Sequence, residues 1–477
     1  MLAGLGLGGL GGAHRSALSA RAGQRLWGRR CHGAMLFWGL EERYPFIGSS
    51  PCGVRKKNRG PALRVVMAED RWSQVGKALM QVGALSIPIG LLISVALCYV
   101  SFAFLMLGAL CARVRLWQMP GFWVLLAFSA WMLLITFVHG YRLRGLVYVW
   151  PLIYVLAVGM ALPTARRWAP WVLLAALVAA GFLAILQFTV GLGGDRPWRV
   201  DADGPQWRRV VGFFSHHIRF GSVMSFVAIL LTISLSPSLP RWLQAAGAVF
   251  AAMLALISSA RGQILGLLVG LWLRFVGRGW KRFALSVGMV LIVAALGAAF
   301  LQWSQPARLQ SLLAFSDVRW GLWALCLDLW RSAPLLGIGE GLNEALRASF
   351  APEILRQHLG GWMPGHAHNT FISLGLLYGA PAALLFIAWL LVLLRALWLQ
   401  TDQAPALRGA CMGVMAVFVV GGLTEDLSGL ASSRFGFLVV LGWLWALLLA
   451  REKTSAESSP ALISPPPSTD TTEANRP

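Results

Sequence analysis

Charge is scarce in this chain: only 13% of its 477 residues are Asp, Glu, Lys or Arg, only 19 are acidic, and 57% are hydrophobic, with a mean hydropathy of +0.66. So small a polar complement cannot coat a soluble globule of this length, and the bulk of the chain must be solvated by lipid. Cysteine is sparse too. Cys31, Cys52, Cys98, Cys111, Cys326 and Cys411 show no CxxC spacing and no evident pairing, and they carry no message about redox chemistry. A nucleic-acid recognition module is also missing. The formal net charge is +22, but the basic residues are scattered in short clusters between apolar runs and form no aromatic-basic recognition module, so no nucleic-acid partner is expected.

What is present divides into tails and spans. Residues 1–66 hold nine Arg and two Lys against Glu41 and Glu42, in a Gly/Ala/Arg-rich stretch without periodicity, which is a disordered composition. An organelle presequence would look similar. Because Met67-Ala68-Glu69-Asp70 leads straight into the first apolar run, 1–66 reads instead as a basic extension upstream of a start at Met67, dispensable for insertion. Residues 451–477, rich in Ser, Thr and Pro, read as a solvated cytoplasmic tail.

Apolar runs of about 17 to 25 residues mark spans. The run Ala78–Cys111 is too long for one and divides at a tight hairpin near Leu97–Tyr99. Others fall at 121–138, 145–162, 168–190, 211–234, 242–258, 262–277, 283–303, 372–396, 407–424 and 435–450. The expected fold is an all-α membrane protein of about twelve transmembrane helices: nine within 67–303, a large helical external loop at 304–371, and three within 372–450. Basic residues in short loops orient it. Arg113 and Arg115, Arg166 and Arg167, Arg241, Arg274 to Arg282, and Arg395 and Arg408 mark the cytoplasmic side. Arg142 and Arg144 run against the pattern, as does the loop carrying Arg196, Arg199, Arg208 and Arg209, which Asp195, Asp201 and Asp203 partly balance. The loop at 304–371 is then periplasmic.

Polar residues crowd the outer end of this bundle. In Pro364-Gly365-His366-Ala367-His368-Asn369-Thr370, two histidines and an amide sit where the external loop re-enters the membrane. His368 reads as a packed histidine, a metal ligand or a general base; the last is favoured because an imidazole exchanges a proton near neutral pH. A zinc set would need His366 and His368 with His358 and Glu353 through an unusual loop, so no metal is expected. Arg261, in Ser258-Ser259-Ala260-Arg261-Gly262, is wedged between two spans and either snorkels to headgroups or holds a phosphate. Apolar spacing from Val318 to Leu329 predicts an amphipathic helix on the membrane surface, stopped by Pro334. Arg319 opens that helix against its dipole and calls for an anionic partner. Arg331, farther along, reads equally as an interfacial anchor.

These motifs resemble the O-antigen ligase and polymerase superfamily, membrane glycosyltransferases of the GT-C type. The resemblance covers about Arg209 to Leu393. It lies in Val211-Gly212-Phe213-Phe214-Ser215-His216-His217-Ile218-Arg219, in Ser259-Ala260-Arg261-Gly262, in Arg319 with Pro334-Leu335-Leu336-Gly337-Ile338-Gly339, and in His368-Asn369 with Gly379 eleven positions beyond the histidine. Trp323 stands where a ligase pattern places Leu. The resemblance implies transfer of a glycan from undecaprenyl diphosphate to a sugar hydroxyl of lipid A-core, on the periplasmic face of a bacterial inner membrane, in lipopolysaccharide biosynthesis. It further implies an inverting reaction with no metal, nucleotide or other cofactor. His368 would be the general base, and Arg261 and Arg319 would hold the diphosphate. Asn369, His366, Arg331, His216, His217 and Arg219 would line the substrate site. Polymerisation of repeat units or protein O-glycosylation fits the same motifs, and a lipid-glycan flippase or solute transporter would also have many spans and buried arginines. A transporter should show discontinuous helices or ionisable groups at mid-membrane.

Overall fold

The computed structural model describes residues 71–140, 150–190, 210–258, 260–275, 318–339, 341–360, 363–400 and 404–457, and no strand occurs among them. The bundle consists of α1 (Arg71–Leu92), α2 (Val95–Cys111), α3 (Phe122–Val138), α4 (Leu152–Ala161), α5 (Pro163–Thr189), α6 (His217–Leu230), α7 (Arg241–Ile257) and α8 (Arg261–Phe275), joined later by α12 (Thr370–Gln400), α13 (Pro405–Thr424) and α14 (Ala431–Glu457). Between α8 and α12 lie α9 (Val318–Ser332), α10 (Leu342–Ser349) and α11 (Pro352–Leu359). Each expected span but one has a helix. The exception, 283–303, lies outside the described residues, as do residues 1–66, the part of the expected 451–477 tail from 458 onward, and the arginines at 142, 144, 196, 199, 208 and 209; residues 451–457 continue the last helix. By length and hydropathy, α1, α5, α12, α13 and α14 are long and apolar enough to cross a membrane, and α2, α3, α4, α6 and α7 are shorter apolar helices.

The first hairpin turns earlier than the sequence suggests. Its turn is at Ile93–Ser94, and Leu97–Tyr99 lie inside α2. Ser94 is extended (φ −150°, ψ 117°) and its carbonyl accepts the amides of Leu97 and Cys98, so a lone serine starts α2 in a run with no glycine at the bend.

The heart of the bundle is aromatic. Trp150 meets Phe386, Trp389, Phe418 and Phe437 at centroid separations of 5.0 to 6.4 Å. Two of its polar edges are linked: Trp389 Nε1 donates to the Tyr154 hydroxyl (3.2 Å), which donates to the Pro120 carbonyl (2.8 Å). α14 runs through this core, and Phe435, Phe437, Leu438, Val439, Val440 and Leu441 along it are fully buried.

The segment α9–α11 has a core of its own. Leu322, Leu325, Cys326 and Leu329 form one stripe on α9 and pack with Leu342 and Leu346 of α10, Leu355 and Leu359 of α11, and Ala367 and Leu376. The apolar face of α9 therefore turns toward protein, not onto a membrane surface as its spacing suggested.

After α9 the chain Pro334–Gly339 docks into a break in α12. Gly379 is non-helical (φ 82°, ψ 169°), a conformation essentially reserved for glycine, and a Cβ there would run into the Leu335 carbonyl. Four backbone groups beside this break find partners outside the helix. The carbonyls of Leu376 and Leu377 accept the amides of Ile338 (2.8 Å) and Gly339 (3.1 Å), the Tyr378 carbonyl accepts Trp131 Nε1 (2.9 Å), and the Ala380 amide donates to the Pro334 carbonyl (2.8 Å). An apolar surround demands that accounting. It also means that α12 is discontinuous, as expected of a transporter, but its break is filled by protein backbone.

Candidate active site

Four chain segments meet at one end of the bundle, each for a local reason. Gly262, in the first turn of α8, lies so close to Thr424 at the end of α13 that any side chain would collide with the Thr424 hydroxyl. Gly221 of α6 lies against Ser258 and Ala260, which lead into α8. Thr370 opens α12 and ties it to the α13–α14 turn: its hydroxyl donates to the Glu425 carbonyl (3.1 Å) and accepts the Leu427 amide (2.9 Å). Asn369 caps α12, its amide oxygen accepting from Phe371 (3.0 Å) and Ile372 (3.1 Å), while its nitrogen donates to the Leu423 carbonyl (3.1 Å). The family resemblance implied substrate contact for Asn369; these bonds also fix the backbone beside it.

That residue is His368, whose φ of +49° is uncommon for a side chain larger than glycine. Two further bonds hold the loop. Trp323 Nε1 of α9 donates to the carbonyl of buried Ala367 (2.9 Å), and the His368 amide donates to His366 Nδ1 (3.2 Å). Trp323, the departure from the ligase pattern, therefore grips the turn between the two histidines.

The centre of the site is a residue the sequence reading passed over. Glu425, 4% exposed, lies between a histidine and an arginine: Oε2 is 2.8 Å from His368 Nδ1 and Oε1 accepts from Arg319 at 2.8 Å. The anionic partner that Arg319 required is thus 106 residues away in sequence. A carboxylate only accepts, so Nδ1 of His368 carries the proton toward Glu425. The guanidinium is one-third exposed, so Glu425 holds it at the edge of the site without burying it. The signal for Glu425 was available, since Glu425-Asp426 is an acidic pair at the lip of a span in a chain with few acids.

Arg261 stands at the first position of α8, next to Gly262 and so beside the Thr424–Glu425 corner. His216 caps α6, its Nδ1 accepting the Ile218 amide at 3.3 Å, and its ring stacks on His217 at 4.3 Å. Arg219 donates to the Ser215 hydroxyl (2.9 Å) and lines a cavity of about 580 Å³ beside His366. Arg331 does not join this set. It is exposed and paired with Asp328 at 2.6 Å, at the far end of α9, about 18 Å along the axis from Arg319 at 1.5 Å per residue.

The two histidine rings lie 4.0 Å apart at 40°. Burial, and next the neighbouring His368, depress the His366 imidazole below its ordinary range, against the pull of Asp426 and Glu425. His366, His368 and Glu425 each offer a ligand atom within 4.8 Å of the others, so a metal set, if the protein uses one, would be these three. His358 and Glu353, the partners the sequence suggested, are exposed on α11. Both Nδ1 atoms already serve protein bonds, so a cation would take the Nε2 edges or displace those bonds.

Residues 246–387 match the family model described as O-antigen ligase, Wzy_C. The match spans α7 to α12 and includes Arg261, Arg319, His366 and His368, while Glu425 lies beyond it. It supports an O-antigen ligase/polymerase-family membrane glycosyltransferase. No curated protein matches the chain.

Proposed function

We propose, with the O-antigen ligase domain as premise, that this protein transfers a glycan from undecaprenyl diphosphate to a sugar hydroxyl of lipid A-core, at the periplasmic face of a bacterial inner membrane that it crosses about twelve times. The observation that carries the reading is the bridge His368–Glu425–Arg319. The acceptor oxygen attacks the anomeric carbon while its proton passes to His368 Nε2. The bond from that carbon to the diphosphate oxygen breaks, and the diphosphate leaves with the electron pair. Displacement in a single step inverts the anomeric centre. Glu425 holds the imidazole in the tautomer that can accept a proton and balances the imidazolium that forms, as an acid partner does in other His-based sites. Arg261 and the Arg319 guanidinium meet the charge growing on the leaving diphosphate. The donor is already activated, so cationic stabilisation replaces the task a Lewis acid would perform.

The test is transfer by purified protein from diphospholipid-linked glycan to lipid A-core with EDTA present, read as a gel shift of the acceptor. Loss of a general base commonly lowers turnover by about 10² to 10⁴. His368→Ala is therefore expected to abolish detectable transfer while the protein still accumulates in the membrane and still binds donor. Arg261→Lys and Arg319→Lys are expected to fail as well, because an ammonium cannot make a bidentate contact. Full activity of His368→Ala would remove the base. Activity lost to EDTA and restored by zinc would assign His366, His368 and Glu425 to a metal instead.

Repeat-unit polymerisation and protein O-glycosylation share this chemistry and differ in acceptor, which the same assay separates by changing the acceptor offered. A flippase or transporter would move the lipid-linked glycan without breaking the diphosphate bond.

A further inference from the structure

The cavity beside His366 is walled by α2, α3, α6, α10, α12 and α14, and none of Arg261, Arg319, His368 or Glu425 lines it. It touches the catalytic set only through His366, whose ring packs on His368. Its wall is unusual in one respect. Four of the residues there, Arg219, Asn343, Ser373 and Arg434, each carry a buried polar side-chain atom with no hydrogen-bond partner: Nε, Oδ1, Oγ and Nε respectively. Arg434 and Ser373 are 1% and 2% exposed. Buried polar groups are nearly always paired, so four orphans around one space require an explanation. Asp426 adds a fifth polar group to the wall, held in place by the Ser428 hydroxyl (2.7 Å) and the Gly429 amide (3.0 Å) on Oδ1.

The orphans include two donors, one acceptor and one hydroxyl that serves either way. A polyprenyl tail would leave all four bare, and a phosphate would satisfy the two donors and the hydroxyl but leave the acceptor Asn343 Oδ1 unpaired. A sugar ring, whose hydroxyls donate and accept, suits this mixed wall once Ser373 and Asn343 turn toward the cavity about their own side-chain bonds. Resting on the glycosyl-transfer reading above, we propose that this cavity holds the acceptor sugar, so that His366 separates an acceptor subsite from the diphosphate subsite of Arg261 and Arg319. The acceptor hydroxyl then reaches Nε2 of His368 past the edge of the His366 ring.

The experiment uses Asn343→Leu and Ser373→Val in the full-length protein. Replacing an unsatisfied buried polar group by an apolar one of similar size is neutral or stabilising, so both variants are expected to keep or raise the thermal midpoint. Each removes hydrogen bonds to the acceptor, and the expected result is a KM for lipid A-core raised by about tenfold, near the value of one net hydrogen bond. Affinity for the diphospholipid-linked glycan, measured without acceptor, is expected to stay within about twofold. Unchanged acceptor KM in both variants would overturn the proposal. Weakened donor binding with unchanged acceptor KM would also overturn it and assign the cavity to the donor glycan. Absence of transfer by the unsubstituted protein would instead defeat the glycosyl-transfer reading itself.

Discussion

At the scale of single residues, Glu425 is the side chain on which the site turns, because it is the buried anion shared by the imidazole and the guanidinium. As a positioning residue it is expected to act on turnover more than on binding. Glu425→Gln keeps the shape, loses the charge and lets the amide donate to Nδ1, favouring the wrong tautomer. Turnover should fall by about 10- to 100-fold with KM little changed, as for other residues that orient a catalytic imidazole. Glu425→Asp should recover part of that loss, and equal loss in both variants with raised KM would mark a merely structural carboxylate. His366 supplies a prediction in pH. Its folded pKa is depressed by burial, so the folded state favours the neutral ring, and the resulting stability is fully present above the ordinary imidazole value of 6.5 and is lost as pH falls below it. The thermal midpoint of the unsubstituted protein should therefore drop more steeply than that of His366→Gln on acidification from about pH 8 to pH 5. Parallel curves would show that His366 does not contribute.

At the scale of elements, the break in α12 couples the catalytic loop to the helical segment outside the bundle. Thr370 to Tyr378 carry the start of α12 from the histidine loop to Gly379, and the chain from Pro334 to Gly339 is hydrogen-bonded into the break. Gly379→Ala would place a side chain in a backbone region nearly closed to it, costing about 1 to 3 kcal/mol before the collision with Leu335 is counted. Gly360 provides the comparison. It also has positive φ (59°), but a Cβ there meets open space, so Gly360→Ala is expected to cost about 1 kcal/mol or less. Thermal unfolding of the two variants, with transfer activity, tests this directly: Gly379→Ala should lose both, and comparable midpoints would mean that the break tolerates a helix.

At the scale of the whole molecule, the helix ends that carry Arg113, Arg166, Arg167, Arg241, Arg274 and Arg408 alternate along the chain with the ends that gather around Glu425. That alternation, with the preference of basic loops for the cytoplasm, is the argument behind the proposed outward-facing site. Ser349, exposed at the end of α10, tests the orientation. A cysteine there, in a background lacking the native six, should be labelled by an impermeant thiol reagent in intact spheroplasts. Labelling only after the membrane is opened would reverse the topology.

The sequence by itself determined the helical class, the positions of nearly all the apolar helices, and the identity of the basic and histidine residues at one end of them. Those features are local: span length, hydropathy and the cost of a charge near hydrocarbon can be read from consecutive residues. Only the tertiary structure decided that Glu425, carried in the turn before α14, completes the set with Arg319 and His368, that Arg331 stands apart from it, and that α9 buries its stripe against α10 and α11. Periodicity says that a face is apolar and not what covers it, and a salt bridge spanning 106 residues leaves no pattern along the chain. The same holds for Gly379. Its place in the sequence marks a motif, but only the docking of Pro334–Gly339 shows that the glycine is there because another backbone occupies the space a side chain would need.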